Sequence, residues 1–237
     1  MTHRRLILTA LGWAVYALIR PLAANAQATF LVQLDTSPLV GSASGPFSID
    51  LQLIDASGAG DANNSALATA FQFGSGCSAG GNPTLLGGVT GDLSSGVSMI
   101  DSSPFNEFTE TFVPGNALRF QLDLTTNQDP GGISDQFAFA ILDGNGDPLP
   151  TQGPGNALLT VDMGSAFAQA FGAPPGAAIA LAAPSVQAVP ESAPGVVLVA
   201  AIIGMASLLR GRTLLARRPY GTAANGMQSP WVYRANG

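Results

Sequence analysis

The stretch NALRFQLDLTT (116–126) places Leu118, Phe120, Leu122 and Leu124 on one side of an extended chain, and Arg119, Gln121, Asp123 and Thr125 on the other. Side chains alternate faces in a strand, so this period of two predicts a strand with one buried face and one wet face. PFSIDLQL (46–53) repeats the pattern with Phe47, Ile49, Leu51 and Leu53 against Ser48, Asp50 and Gln52. ATFLVQLD (28–35) groups Phe30, Val32 and Leu34, and DQFAFAILD (135–143) groups Phe137, Phe139 and Ile141 opposite small alanines. Weaker strand candidates are LATAFQF (67–73), GVSMI (96–100), FTETFV (108–113), ALLTVDM (157–163) and AAIALAA (177–183), with room for one helical turn at 165–171. Segments such as DASGAGDANN, GSGCSAGGNP, TNQDPGG and GNGDPLP separate them with the residues that turns require. Many short strands so joined predict an all-β fold, an antiparallel, jelly-roll-like β-sandwich over 27–187.

The flanks have a different character. MTHRR, a 14-residue apolar run (LILTALGWAVYALI) and the small residues around Ala24 and Ala26 have the layout of a secretory signal peptide. Cleavage is expected between Ala26 and Gln27, leaving 1–26 as a signal helix. At the other end AAPSVQAVPESAPG reads as an extended linker. A hydrophobic helix follows over about 193–209, whose 17 residues are short for a bilayer span. Arg210, Arg212, Arg217 and Arg218 come next, cations that hold that end in the cytoplasm. Residues 188–218 thus form a linker, motif, helix and arginine cluster, and 219–237 reads as a disordered tail.

Charge and residue usage restrict the chemistry. The chain has no lysine, and between Gln27 and Val189 there are fourteen acids and one base, Arg119, a net charge of −13. Nucleic-acid binding needs basic groups against phosphates, so it is excluded for this domain. The one histidine, His3, lies in the signal segment, which removes Ser-His-Asp and Cys-His catalysis and ordinary zinc sites from the mature domain. Cys77 is the only cysteine, incidental or else a partner in an intermolecular disulfide.

Two constellations bear on binding or catalysis. Asp143, Asn145 and Asp147 in DGNGDP have the spacing that opens a calcium loop, but prolines stand where the loop needs its sixth-place glycine and twelfth-place glutamate. A hairpin turn is the preferred reading, with a weak surface calcium site as its alternative. Glu107 and Glu110 could form a glycosidase pair, but three residues apart on a strand they point to opposite faces. Only phenylalanine represents the aromatics between Gln27 and Val189, so the usual stacking platforms for sugars are missing. No catalytic residue and no cofactor is expected.

Val189, Pro190 and Glu191, the hydrophobic run and the arginines together resemble the sorting signal of PEP-CTERM exported bacterial proteins. Ser192 stands where that motif has its second proline, and the tail after Arg218 is longer than the class usually carries. The domain, from VQLDTSPLVG through FNEFTETFVPGNALRFQLDL to DQFAFAILDGNGDPLP, is similar to a recurring single-domain PEP-CTERM family of unassigned activity. The resemblance implies an exosortase as processing partner and delivery to the cell envelope or the exopolysaccharide matrix. The expected function is a non-enzymatic envelope or matrix protein. A membrane-anchored, carbohydrate- or calcium-dependent adhesion module is the alternative, and a secreted hydrolase is a more remote one.

Overall fold

The structure, a computed structural model, describes residues 27–190. They form thirteen strands: β1 (Gln27–Leu34), β2 (Phe47–Ile54), β3 (Ser65–Gln72), β4 (Cys77–Ser78), β5 (Thr84–Leu86), β6 (Gly88–Asp92), β7 (Gly96–Ile100), β8 (Phe105–Val113), β9 (Leu118–Thr125), β10 (Gln136–Leu142), β11 (Leu159–Asp162), β12 (Phe167–Ala170) and β13 (Ser185–Val189). Two antiparallel sheets result. One has the order β13-β1-β9-β3-β7-β6; the other has β12-β11-β10-β2-β8, with β4 and β5 both pairing β8. Among the described residues no helix is long and apolar enough to cross a membrane. The signal segment and the 193–209 run lie outside them.

The alternation seen in the sequence becomes the core. Phe30, Val32 and Leu34 of β1 and Leu118, Phe120, Leu122 and Leu124 of β9 are buried in the six-stranded sheet. Ile49, Leu51 and Leu53 of β2 and Phe137, Phe139 and Ile141 of β10 are buried in the other, and all belong to one cluster. The sheets meet through Phe120 and Phe139, edge to face at 5.3 Å and 78°, the geometry that aromatic quadrupoles favour. A buried face on each sheet joined in one core is the arrangement of a β-sandwich.

Three local expectations need correction. Residues 165–171 contain no helical turn: Phe167–Ala170 pair with β11 as an edge strand, in register Leu159↔Ala170. AAIALAA (177–183) is not a strand; Leu181 is buried, but its carbonyl accepts from the Ala173 N–H within a loop. Residues 185–189, read as linker, instead pair with β1 from Thr29↔Val189 to Gln33↔Ser185. An otherwise free edge of β1 can recruit a short polar segment through backbone bonds alone, which leaves little side-chain pattern to read.

β3 departs from plain alternation. Ala66 and Ala68 face the core, and so does Phe73 just after the strand, which breaks the period of two. The pairing with β9 shifts between Thr69 and Gln72, a β-bulge in which Ala70 takes φ 54°. One extra residue reverses the phase, so Phe71 stacks on Phe120 while Gln72 lies opposite the exposed Arg119.

Candidate metal centre

Three connections cross from one sheet to the other at the same end of the sandwich: β2–β3, β7–β8 and β9–β10. Each carries acids beside a strand end. Asp55 follows β2 directly, Asp101 follows β7, and Asp135 precedes β10, with Asp129 earlier in that last loop. All four are buried, Asp101 and Asp135 almost completely. One carboxylate oxygen from each of Asp55, Asp129 and Asp135 lies within 4.8 Å of the others.

The loops fold around these acids because their glycines, serines and asparagines supply donors. Asp55 Oδ1 accepts from the N–H of Ser57 (2.8 Å) and Gly58 (3.0 Å) and from Ser57 Oγ (2.7 Å), while its Oδ2 accepts from the Gly60 N–H. Burial pushes this carboxyl up, but the bonds from Ser57, Gly60 and Gly58 outweigh it and hold Asp55 below the ordinary range, ionised. Asp135 Oδ1 accepts from the Ala56 N–H (3.0 Å), and its Oδ2 accepts from Asn64 Nδ2 (2.7 Å). Asn64 ties the loops together: its Oδ1 accepts from Thr125 Oγ1 and the Asn127 N–H, both at 3.0 Å.

Asp129 completes the group. Its Oδ1 accepts from Asn63 Nδ2, while its Oδ2 is buried with no hydrogen-bond partner, as is Asn63 Oδ1. A buried acceptor without a donor carries its full desolvation cost. Three buried carboxylates this close need protons or a cation between them, because like charges at this spacing cannot all remain uncompensated. Beside this group, Asp101 is pushed up to about 7 by burial, helped by a hydrogen bond with Asp135. Asp129 offers a vacant oxygen where a hard cation would bind, and oxygen-only ligands are the donor set of calcium rather than of zinc or copper.

The residues singled out in the sequence lie elsewhere. Asp143, Asn145 and Asp147 form an exposed turn between Leu142 and Pro148. Asp143 Oδ1 accepts the N–H groups of Asn145 (2.9 Å) and Asp147 (3.1 Å), so the loop's own backbone occupies it. Glu107 and Glu110 do point to opposite faces. Glu110 turns inward, accepting from the Leu93 N–H (2.8 Å) and Ser78 Oγ (3.0 Å), while Glu107 lies on the outer face. Glu107 instead neighbours Asp50, one diagonal away in the register Asp50↔Thr109 and Gln52↔Glu107. Asp50 is only 2% exposed and is pushed up to about 7 by burial and then by Glu107, a sealed carboxyl with no route to a substrate. Cys77 is exposed on β4 opposite Val113. Gln27 opens β1 and Val189 closes β13, whereas Ala24, Ala26, Glu191 and the arginines from Arg210 on lie outside the described residues.

Sequence reading missed Asp55, Asp129 and Asp135 because 74 and 6 positions separate them, and because Asp55 and Asp129 stand in segments that read as turns while Asp135 reads as the first residue of a strand. The available signal was an acid placed against a strand end in DASGAGDANN and again in DPGGISDQF. Comparison with protein-family models, with curated proteins and with solved structures finds no match.

Proposed function

We propose that this chain is an exported, non-enzymatic β-sandwich protein of the bacterial envelope or extracellular matrix, jelly-roll-like in architecture, that holds calcium at Asp55, Asp129 and Asp135. The observation that carries the calcium reading is the convergence of three buried carboxylates with the unpartnered Asp129 Oδ2. Export and PEP-CTERM-like sorting are supported by the sequence layout: a signal-like start, the Val189–Glu191 motif, an apolar run and flanking arginines. The two parts fit each other, since millimolar calcium outside the cell suits a site formed only in the folded domain. There the ion joins two inter-sheet connections, β2–β3 and β9–β10, and acts as a structural cross-link rather than as a catalyst.

The test is thermal unfolding of the full chain in calcium, in magnesium and in EDTA. At a hundred times the dissociation constant, calcium adds about 2.7 kcal/mol, which raises Tm by roughly 5–10 °C for a domain of this size. Magnesium gives a smaller rise, because its tight octahedral shell fits poorly among carboxylates fixed by so many backbone donors. Asp129→Asn abolishes the calcium response. A Tm indifferent to calcium and EDTA refutes the calcium reading.

A further inference from the structure

The phase reversal in β3 has a chemical result on the outer face of the six-stranded sheet. It sets Gln72 beside Arg119, and four strands (β13, β1, β9 and β3) then present Gln187, Ser185, Gln33, Arg119, Gln121 and Gln72 to one groove of about 260 Å³. A second hollow of about 440 Å³, bounded by Phe73–Gly74 and Asn116–Ala117, shares Gln72 and Arg119 with the first. Both depressions therefore meet at the only base among the described residues.

Arg119 has no carboxylate partner among those residues. Its Nε donates to Gln33 Oε1 at 3.0 Å, which restrains the guanidinium at the groove lining and leaves Nη1 and Nη2 with no hydrogen-bond partner among the described residues. That exposed fork matches a carboxylate in two parallel hydrogen bonds. Gln121 Nε2 is turned toward Asp123 (2.8 Å to Oδ2), so its Oε1 remains an acceptor. Gln33, its Oε1 engaged by Arg119, offers its Nε2 donor, and the Gln72 and Gln187 amides each offer a donor and an acceptor, the pairing that a hydroxyl, itself both, can satisfy. Leu31, 45% exposed, adds a small apolar floor. Ala70, at φ 54° within the groove lining, is a strained backbone position of the kind that gathers at binding sites.

We propose that this groove binds a carboxylate-bearing saccharide, with the Arg119 fork on the uronate group and the glutamine amides on ring hydroxyls. An extended peptide fits less well, because the groove lies over the sheet face, where β1 and β9 are each paired on both sides, and strand addition is left only to the outer edge of β13. Fourteen acids around a single base disfavour a densely charged polymer, so the ligand is a glycan in which uronate units are sparse. The proposal does not depend on the calcium centre, which involves other loops.

The experiment titrates the full chain with methyl glucuronoside, methyl glucoside and acetate, following backbone and side-chain amide resonances by NMR. The expected result is saturable shifts at Gln33, Gln72, Arg119 and Gln121 with the glucuronoside. Binding of the glucoside is at least tenfold weaker, and acetate gives no saturation. Arg119→Gln weakens glucuronoside binding at least tenfold with Tm unchanged, since Arg119 is exposed. Arg119→Lys, which keeps the charge without the fork, falls between. Asp129→Asn binds the glucuronoside as the parent does, so failure of the calcium reading and failure of this one are told apart. Equal binding by parent and Arg119→Gln, equal binding of acetate, or no saturable shift each overturns the proposal.

Discussion

Asp50 shows how one buried carboxyl sets a pH dependence for the whole domain. It sits on β2, where the alternation places it on the outer face, yet it is almost fully enclosed and pushed up to about 7, first by burial and then by Glu107. Its Oδ2 accepts from Gln52 Nε2 at 2.7 Å, and its Oδ1 has no partner. A carboxyl raised above its unfolded value of 3.8 keeps its proton in the folded chain between about 4 and 7, while the unfolded chain has released it. The folded state binds more protons there, so stability falls as pH rises through that window and the loss is complete above it. Asp50→Asn needs no proton: urea melts are expected to show a flatter pH profile and a gain of about 1–2 kcal/mol at pH 8 relative to the parent. An unchanged slope would assign the pH dependence to other groups such as Asp101.

At the scale of elements, two backbone features decide how the strands fit. The β3 bulge converts a sequence whose apolar residues fall out of phase into a strand that buries Ala66, Ala68 and Phe73 together. Its cost is the positive φ at Ala70, a conformation that glycine adopts freely. Ala70→Gly is therefore expected to stabilise the domain by about 0.5–1 kcal/mol in denaturant melts, a reversal of the usual penalty for glycine in a strand. The second feature is the close approach of the β3–β4 and β8–β9 connections. A Cβ on Gly115 would collide with the Phe73 carbonyl oxygen and the Gly76 nitrogen, and one on Gly76 would meet the Val113 carbonyl. Thr36 locks this crossing from below, its Oγ1 donating to the Gly115 carbonyl at 2.8 Å. Gly115→Ala has nowhere to place its methyl group and is expected to lose about 2–4 kcal/mol, read from the same melts.

For the whole molecule, β1 and β13 give the ends of the domain a common address. Gln27 pairs with Thr125, and Val189 pairs with Thr29, so the expected signal cleavage point and the start of the proposed sorting motif lie beside each other. Thr125 in turn contacts Asn64, which places this end next to the acidic centre. On the sorting proposal, the segment that joins the domain to the apolar run starts from a strand pinned to β1, not from a free tether. Intact-mass analysis of protein recovered from its native host is expected to show an N-terminus at Gln27 and a C-terminus near Glu191. A chain continuing to Gly237 would support a retained anchor instead.

The strands of the core were readable because a period of two is a local property: Leu118, Phe120, Leu122 and Leu124 announce their buried face without reference to any other segment. The absence of histidine from residues 27–190 is likewise a matter of the residue inventory alone. Pairing is not local. β13 is held as an edge strand by backbone bonds to β1, far away in sequence, and β12 is held at the other sheet's edge by backbone bonds to β11 alone, so neither carries a side-chain pattern strong enough to separate it from a linker or a helical turn. Sites are the least local of all. Asp55 and Asp129 read as turn residues, Asp135 as the start of a strand, and Arg119 as one wet position among several. Sheet crossovers brought the three acids within 4.8 Å, and a single bulge set Gln72 beside the lone guanidinium. Proximity across the chain is a product of packing, and only the folded sandwich supplies it.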